Sequence, residues 1–355
     1  MIGRATCCRM TTPLTHNHSI LTFVNRLRLG ILGAGGIAGH FCAAYPEFES
    51  MEVFAIGSRD QEKADAFAAK YSISKAYGSY DAVVEDKDID AVYIALPNGL
   101  HKEWAIKCAR GGKHILCEKP MALTRADAEE MFAEADTNKV VLTEGFPFRF
   151  QPQTIEVLRR AHSGELGEIQ TVTGCFGFRM RDPNNVRLDP TQGAGTTWDV
   201  GVYPINLVRA VMGKAPVSVL ASSRCNDKGV DLTTTAILTY GDGRQCSIWS
   251  SFESVTFRRA NIVGTEGAID FSHNNHPLSD EAASFVLQRG QGKEMVEESI
   301  QTQPGNGFVF EADAFAAMVS AAGHETGTSR QETIDNIATV VAILASAKSG
   351  QSVRV

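Results

Sequence analysis

This sequence predicts an α/β unit with a doubly wound parallel sheet, followed by an α+β unit with a large, mostly antiparallel sheet. Three observations carry that reading. From Leu27 to Glu144, short apolar runs alternate with helix-like runs, the pattern of βαβ units with right-handed crossovers. After about Phe150 the rhythm changes to segments of alternating polarity, which half-buried antiparallel strands produce. The 355 residues also suit about two folding units.

In the first unit, Leu27–Leu32 is apolar and runs into glycines, as a buried parallel strand does. Ile37–Tyr45 reads as a helix, Met51–Ile56 as a strand, and Gln61–Lys70, rich in alanine, as a helix. Ala76–Tyr77 is a short extended piece, and Asp90–Leu96 a strong strand. Lys102–Arg110 is helical and His114–Cys117 extended. Thr124–Asp136 is a helix that Thr124 caps, before a strand at Val140–Glu144.

In the second unit, helices are expected at Thr154–Ser163 and Tyr203–Val211. Antiparallel strands are expected at Ile169–Phe178, Val217–Arg224, Thr233–Thr239, Gln245–Glu253, Arg258–Val263 and Ala268–Phe271. Two helices close the chain, near Phe310–Ala322 and Thr333–Lys348. The expected domains are 27–148 and 149–355, with the terminal helices free to pack back on the first.

Composition narrows the function. A formal net charge of −7 argues against nucleic acid, whose phosphates need a basic face. No apolar run approaches the ~18–20 residues of a membrane span. The eight cysteines form no CxxC pair and no zinc-like cluster with histidine, so no metal is expected. Free, mostly buried thiols in a reducing compartment, the cytoplasm, fit better. Residues 1–26 carry Arg4, Arg9 and Arg26, no acid and no apolar core segment. They read as a disordered extension rather than a secretory signal; an organellar transit segment stays open.

The first strand runs into Gly33-Ala34-Gly35-Gly36-Ile37-Ala38, a G-x-G-x-x-A turn that opens a helix. In that context the turn is the dinucleotide site of a Rossmann domain. Gly33 makes the tight turn, Gly35 admits the pyrophosphate, and Ala38 lets helix and strand pack closely. The helix start at Gly36 and Ile37 offers unpaired N–H groups to the anion. Where an NAD enzyme places an acid for the ribose, this chain has Ser58 followed by Arg59, with Lys63 one turn on. A hydroxyl and a guanidinium suit a 2′-phosphate, so NADP is favoured. NAD remains the alternative, with Asp60 as ribose ligand and Arg59 merely solvated.

The strand at His114 ends in Glu118-Lys119-Pro120. This places a lysine at the carboxyl edge of the sheet, where such folds bind ligands. The Lys119–Pro120 bond there is a candidate for the cis form.

Taken together, the glycine turn, Leu96-Pro97-Asn98 with His101, Glu118-Lys119-Pro120, and Asp199-Val200-Gly201-Val202-Tyr203 resemble the Gfo/Idh/MocA oxidoreductases from Leu27 to the C-terminus. The resemblance implies hydride transfer between nicotinamide and a sugar or polyol hydroxyl. It also implies that Lys119 orients the reacting oxygen and lowers the Tyr203 pKa. Tyr203 would be the acid/base and Asp199 would help to orient the substrate. Leu96, Pro97, Asn98, His101 and Glu118 would serve the cofactor, and Arg149 and Arg187 the substrate. Homodimers or homotetramers would form through the C-terminal sheet. Phe148 and Gln151 stand where sugar-active relatives often have Tyr and His, so the substrate can differ. Trans-dihydrodiol oxidation, with the same Lys and Tyr, is the near alternative. A non-catalytic NADP-binding regulator on the same fold is the distant one.

Overall fold

The computed structural model describes residues 26–272, 282–320 and 327–355. Apart from Arg26, the expected N-terminal extension lies outside the described residues, as does the end of the helix expected to reach Ala322. No described helix is long and apolar enough to cross a membrane.

Six parallel strands form the first sheet: β1 (Leu27–Leu32), β2 (Met51–Gly57), β3 (Lys75–Tyr77), β4 (Ala91–Ile94), β5 (His114–Glu118) and β6 (Leu142–Gly145). Their order is β3-β2-β1-β4-β5-β6. The order reverses at β1, which opens a crevice above the carboxyl ends of β1 and β4. Helices cover both faces: α1 (Gly36–Ala44) and α2 (Gln61–Tyr71) on one, and α3 (Tyr80–Glu85), α4 (His101–Arg110) and α5 (Arg125–Asn138) on the other. Thr124 caps α5 by accepting from Asp127 N. The short α3 was not anticipated. It is too brief for a helical period to show, although Ser79 caps it by accepting from Ala82 N.

After α6 (Pro152–His162) come β7 (Ile169–Arg179), α7 (Val202–Met212), β8 (Ser218–Cys225), β9 (Asp231–Thr239), β10 (Gln245–Ser251), β11 (Glu253–Gly264), β12 (Gly267–Phe271), β13 (Ser284–Arg289) and β14 (Val296–Gln301). Helices α8 (Gly307–Ser320) and α9 (Arg330–Ser349) and the short strand β15 (Val353–Arg354) follow. Among the described residues the second sheet runs β14-β13-β12-β11-β7-β10-β9-β8-β15. Most pairs are antiparallel, but β10 and β7 are parallel, which corrects the expectation for those two segments. The cause is topological. The chain crosses over through α7 after β7, and the β8-β9-β10 meander then brings β10 back beside β7 in the same direction. Sequence reading also missed β13, whose Phe285 and Leu287 are buried, and β14, which is polar and mostly exposed.

Side chains alternate across this sheet with period two. Val219, Leu238 and Cys246 lie in register, as do Ala221, Ala236 and Ile248, and all six are buried in the main core with residues of α7 and α9. Leu220, Ile237 and Phe257 are exposed. Helix α8 leaves this sheet altogether. Its Phe308, Ala312, Phe315 and Ala316 pack with Phe41, Val53 and Tyr93 of the first unit.

Candidate active site

The end of β1 shapes the first wall of the crevice. Gly33 has φ +104°, and a Cβ there would stand 2.6 Å from the Ala95 carbonyl oxygen. Only glycine makes this turn without strain. Gly35 is the N-cap of α1 with no side-chain cap, so the first N–H groups of the helix face the crevice unpaired. A Cβ at Gly35 or Gly36 would meet nothing within 4 Å. This open cradle at a helix N-terminus fits a pyrophosphate. Ala38 is fully buried against the sheet.

At the end of β2, Ser58 is buried and its Oγ accepts from Asp60 N at 3.3 Å. Asp60 Oδ1 accepts from Lys63 N at 3.2 Å and so caps α2. Arg59 and Lys63 are exposed. The Asp60 carboxylate therefore caps the helix.

A cleft of ≈ 300 Å³ joins the two units. Gly35, Gly36, Ile37, Leu96, Pro97, Asn98 and Glu118 line it from one side, and Arg187, Asp199 and Tyr203 from the other, with Lys119 between. Sequence reading did not assign Gln192, which also lines it. The loop that carries Gln192 closes over the first unit, where Asn98 Nδ2 donates to Gly193 O at 2.9 Å.

Lys119 stands at a cis Lys119–Pro120 bond. Its Nζ donates to Asp199 O at 2.8 Å, lies 3.4 Å from Asp199 Oδ1, and sits 4.9 Å from the Tyr203 ring centroid. Arg187 Nε donates to Asp199 Oδ2 at 2.8 Å. Residues 80 apart in the chain meet here because Thr197–Gly201 forms a π-type turn that leads into α7. Thr197 N and Oγ1 both donate to Asp231 Oδ2, which anchors that turn to β9. Tyr203 sits in the first turn of α7, packed against Phe146, Phe148 and Phe176.

The electrostatics differ between these groups. Burial favours the neutral form of Asp199, but Lys119 and Arg187 outweigh it and hold the carboxyl below its ordinary range. Tyr203 goes the other way. Burial drives its phenol well above its ordinary value, and the charges of Glu118 and Asp199 add to the rise. Arg187 opposes this rise without overcoming it, so the net shift of the phenol is upward, not downward as expected. Burial also raises Glu118, whose carboxylate accepts from Tyr93 Oη at 2.6 Å and Lys119 N at 3.2 Å.

Two further expectations are corrected. His101 does not reach the cleft. It is fully buried, with Nδ1 2.9 Å from Pro120 O and Nε2 2.8 Å from Leu96 O. It ties the two strand ends together from beneath. Arg149 does not line the cleft. Its guanidinium donates to Asn206 Oδ1 at 2.8 Å and Gly327 O at 3.2 Å, and pairs with Glu332 at 3.3 Å. An arginine placed among such internal acceptors is held inside the second unit.

A Rossmann crevice with an open glycine cradle, facing a lysine, an ionised aspartate and a buried phenol, defines a nicotinamide-dependent oxidoreductase. The chain belongs to the Gfo/Idh/MocA oxidoreductase family: residues 27–146 match its NAD-binding Rossmann fold and 155–270 its C-terminal domain. The chain is 32% identical over 328 residues to a D-xylose 1-dehydrogenase (NADP(+)) of Haloferax volcanii, covering 92% of this chain and 99% of that one. It is 34% identical over 244 residues to a trans-1,2-dihydrobenzene-1,2-diol dehydrogenase of Xenopus tropicalis, covering 68% and 73%. Among solved structures, it resembles a 3-ketoreductase from Actinomadura kijaniata in complex with NADP and TDP-benzene. The TM-score is 0.83 at 27% identity, covering 91% of this chain and 98% of that one.

Proposed function

We propose that this protein interconverts a secondary alcohol and a carbonyl on a sugar or polyol, with NADP preferred over NAD. The observation that carries the reading is Lys119, Asp199 and Tyr203 converging on one cleft beside the glycine cradle. When bound, the nicotinamide supplies or accepts the hydride. Lys119 has three N–H donors. Two face Asp199, so the third is available to the reacting oxygen, where its charge stabilises a developing alkoxide. Tyr203, protonated in its buried setting, gives a proton to that oxygen as a carbonyl is reduced. Oxidation uses the same path backwards and needs the phenolate. Asp199, kept ionised, holds both Lys119 and Arg187 in place.

Support for NADP comes from the end of β2. Asp60 is used in capping, which leaves Ser58 and Arg59 as the groups suited to a 2′-phosphate. The sugar reading draws on the near full-length similarity to the xylose dehydrogenase. The diol alternative uses the same Lys and Tyr, but its relatives align over less of the chain. A panel of aldoses, inositols and a trans-dihydrodiol, each with NADP and NAD, followed by absorbance of the reduced cofactor, tests all of this. Turnover of a sugar or polyol with NADP is expected. Turnover of the diol alone moves the assignment to the second reading, and binding of NADP without turnover of any substrate defeats the enzyme reading.

Assembly belongs to the same proposal. Leu220, Ile237 and Phe257 on the open face of the second sheet suit a homodimer or homotetramer joined there. Light scattering at micromolar concentration is expected to give more than a monomer, and monomer alone refutes it. The described cysteines are all free thiols, which fits a cytoplasmic enzyme; fractionation of its source cells checks that placement.

A further inference from the structure

One buried acid outside the cleft has no part in the chemistry above. Glu144 lies on β6, beside Cys117 of β5 in register, and is 3% exposed. Its Oε1 accepts from Met121 N at 2.9 Å. Its Oε2 accepts from Thr333 Oγ1 at 2.8 Å. Met121 is two residues past Lys119 in the same turn, and Thr333 is in the first turn of α9. One carboxylate thus spans the turn that carries the lysine and a helix of the other unit.

We propose that Glu144 is a positioning residue that sets Lys119 against Tyr203. The chain of contacts is continuous. From Glu144 it passes through Thr333 into α9, where Asp335 accepts from Arg209 Nε and Nη2 at 3.0 and 2.9 Å. Arg209 is on α7, the helix that bears Tyr203. The Lys119 turn has other supports, since Glu118 accepts from Lys119 N and His101 meets Pro120 O. Both of those come from the first unit. Glu144 alone among these three side chains also bonds to the second.

The chemistry of the group argues for this use. A buried carboxylate is costly unless both oxygens are satisfied, and here each oxygen has one partner from a different unit. Burial pushes Glu144 up to about 7, against the hydrogen bonds from Met121 N and Thr333 Oγ1 that favour the charged form. An apolar residue at this point of β6 would fill the core without that penalty. It would leave Met121 N and Thr333 Oγ1 without their partner and the turn free to shift. Displacements of about 1 Å at a reacting centre can cost on the order of a hundredfold in rate.

The inference rests on the assignment of Lys119 as the group that holds the reacting oxygen. The test is a cycle on the full chain with NADP and its best panel substrate, using Glu144→Ala, Lys119→Met and the double variant. Glu144→Ala is expected to lower kcat about tenfold or more while the NADP Kd changes less than about threefold. Glu144→Gln is expected to restore most of the rate, because its amide still accepts from Met121 N and donates to Thr333 Oγ1. In the Lys119→Met background, Glu144→Ala is expected to cost nothing more, since groups acting as one unit are non-additive. Equal losses in both backgrounds, or full turnover by Glu144→Ala, overturn the proposal. Full turnover by Lys119→Met fails the lysine assignment itself, a separate result that removes the proposal with it. Should Glu144→Ala not fold, Glu144→Asp takes its place. Its shorter side chain is expected to lower kcat severalfold in the parent and leave it unchanged beside Lys119→Met.

Discussion

The two walls of the cleft are built on different principles. The cofactor wall is backbone: a glycine turn, open space above Gly35 and Gly36, and the free N–H groups of α1. That cradle comes from a few consecutive residues after β1, while Ser58 and Arg59 follow β2. The chemical wall is side chains: Lys119, Asp199, Arg187 and Tyr203, drawn from two units and up to 84 residues apart, joined by ion pairs and one aromatic contact. The first wall needs only local geometry to exist. The second exists only when both units are folded and docked. Damage to the first is therefore expected to show as lost cofactor affinity, and damage to the second as lost turnover.

The largest expected effect lies on the chemical wall. Lys119→Met and Tyr203→Phe should each lower kcat about a hundredfold or more, with cofactor affinity little changed, as for positioned acid/base groups. The double variant should be little worse than either single one. Steady-state kinetics with parallel calorimetry of cofactor binding checks this, and near-full turnover by Tyr203→Phe would refute the assigned role. The pH dependence sharpens the same point. With the Tyr203 pKa raised well above 10.0, its protonated form persists through the neutral range. Carbonyl reduction should then stay level from about pH 6 to 9, while alcohol oxidation, which needs the phenolate, should rise with pH. Profiles of kcat/KM in both directions measure it, and a Tyr203-dependent loss of reduction near pH 7 would contradict it.

On the cofactor wall the next effect is Arg59→Ala. It should weaken NADP by about 1.5–3 kcal/mol and leave NAD nearly unchanged, as removal of a charge-assisted contact does. Calorimetric titration of both cofactors at fixed salt checks it, and a parallel loss for NAD would assign Arg59 another role. The glycines then separate shape from stability. Gly35→Ala adds a methyl where the protein has nothing, so its melting temperature should hold while cofactor binding weakens by about 1–3 kcal/mol. Gly33→Ala meets a positive φ and the Ala95 carbonyl, so it should lose about 1–3 kcal/mol of folding stability. Thermal melts with and without NADP distinguish the two, and an unchanged NADP Kd for Gly35→Ala would move the cradle elsewhere.

The same contrast explains what could be read before folding. Strands β1, β2, β4 and β5 announce themselves as apolar runs because a parallel sheet buries both faces. The glycine turn announces itself because its function is local. His101 and Arg149 were misassigned for the opposite reason. A histidine near a cofactor motif and an arginine near a domain junction look the same in sequence whether they face a ligand or a carbonyl. Only the approach of Pro120 and Leu96, or of Asn206 and Glu332, decides it. Glu144 carried no signal at all, since its partners lie 23 and 189 residues away.

By itself, the sequence determined the alternation of elements, the dinucleotide turn and the residue types able to perform hydride chemistry, because periodicity, glycine sterics and side-chain chemistry act within a few residues. Tertiary structure alone decided that β7 and β10 run parallel, that α8 packs on the first unit and that Asp60 serves a helix. It also decided that the Tyr203 phenol is held protonated by burial. Each of these depends on which distant surfaces exclude water from one another, and that is settled only when the two units close.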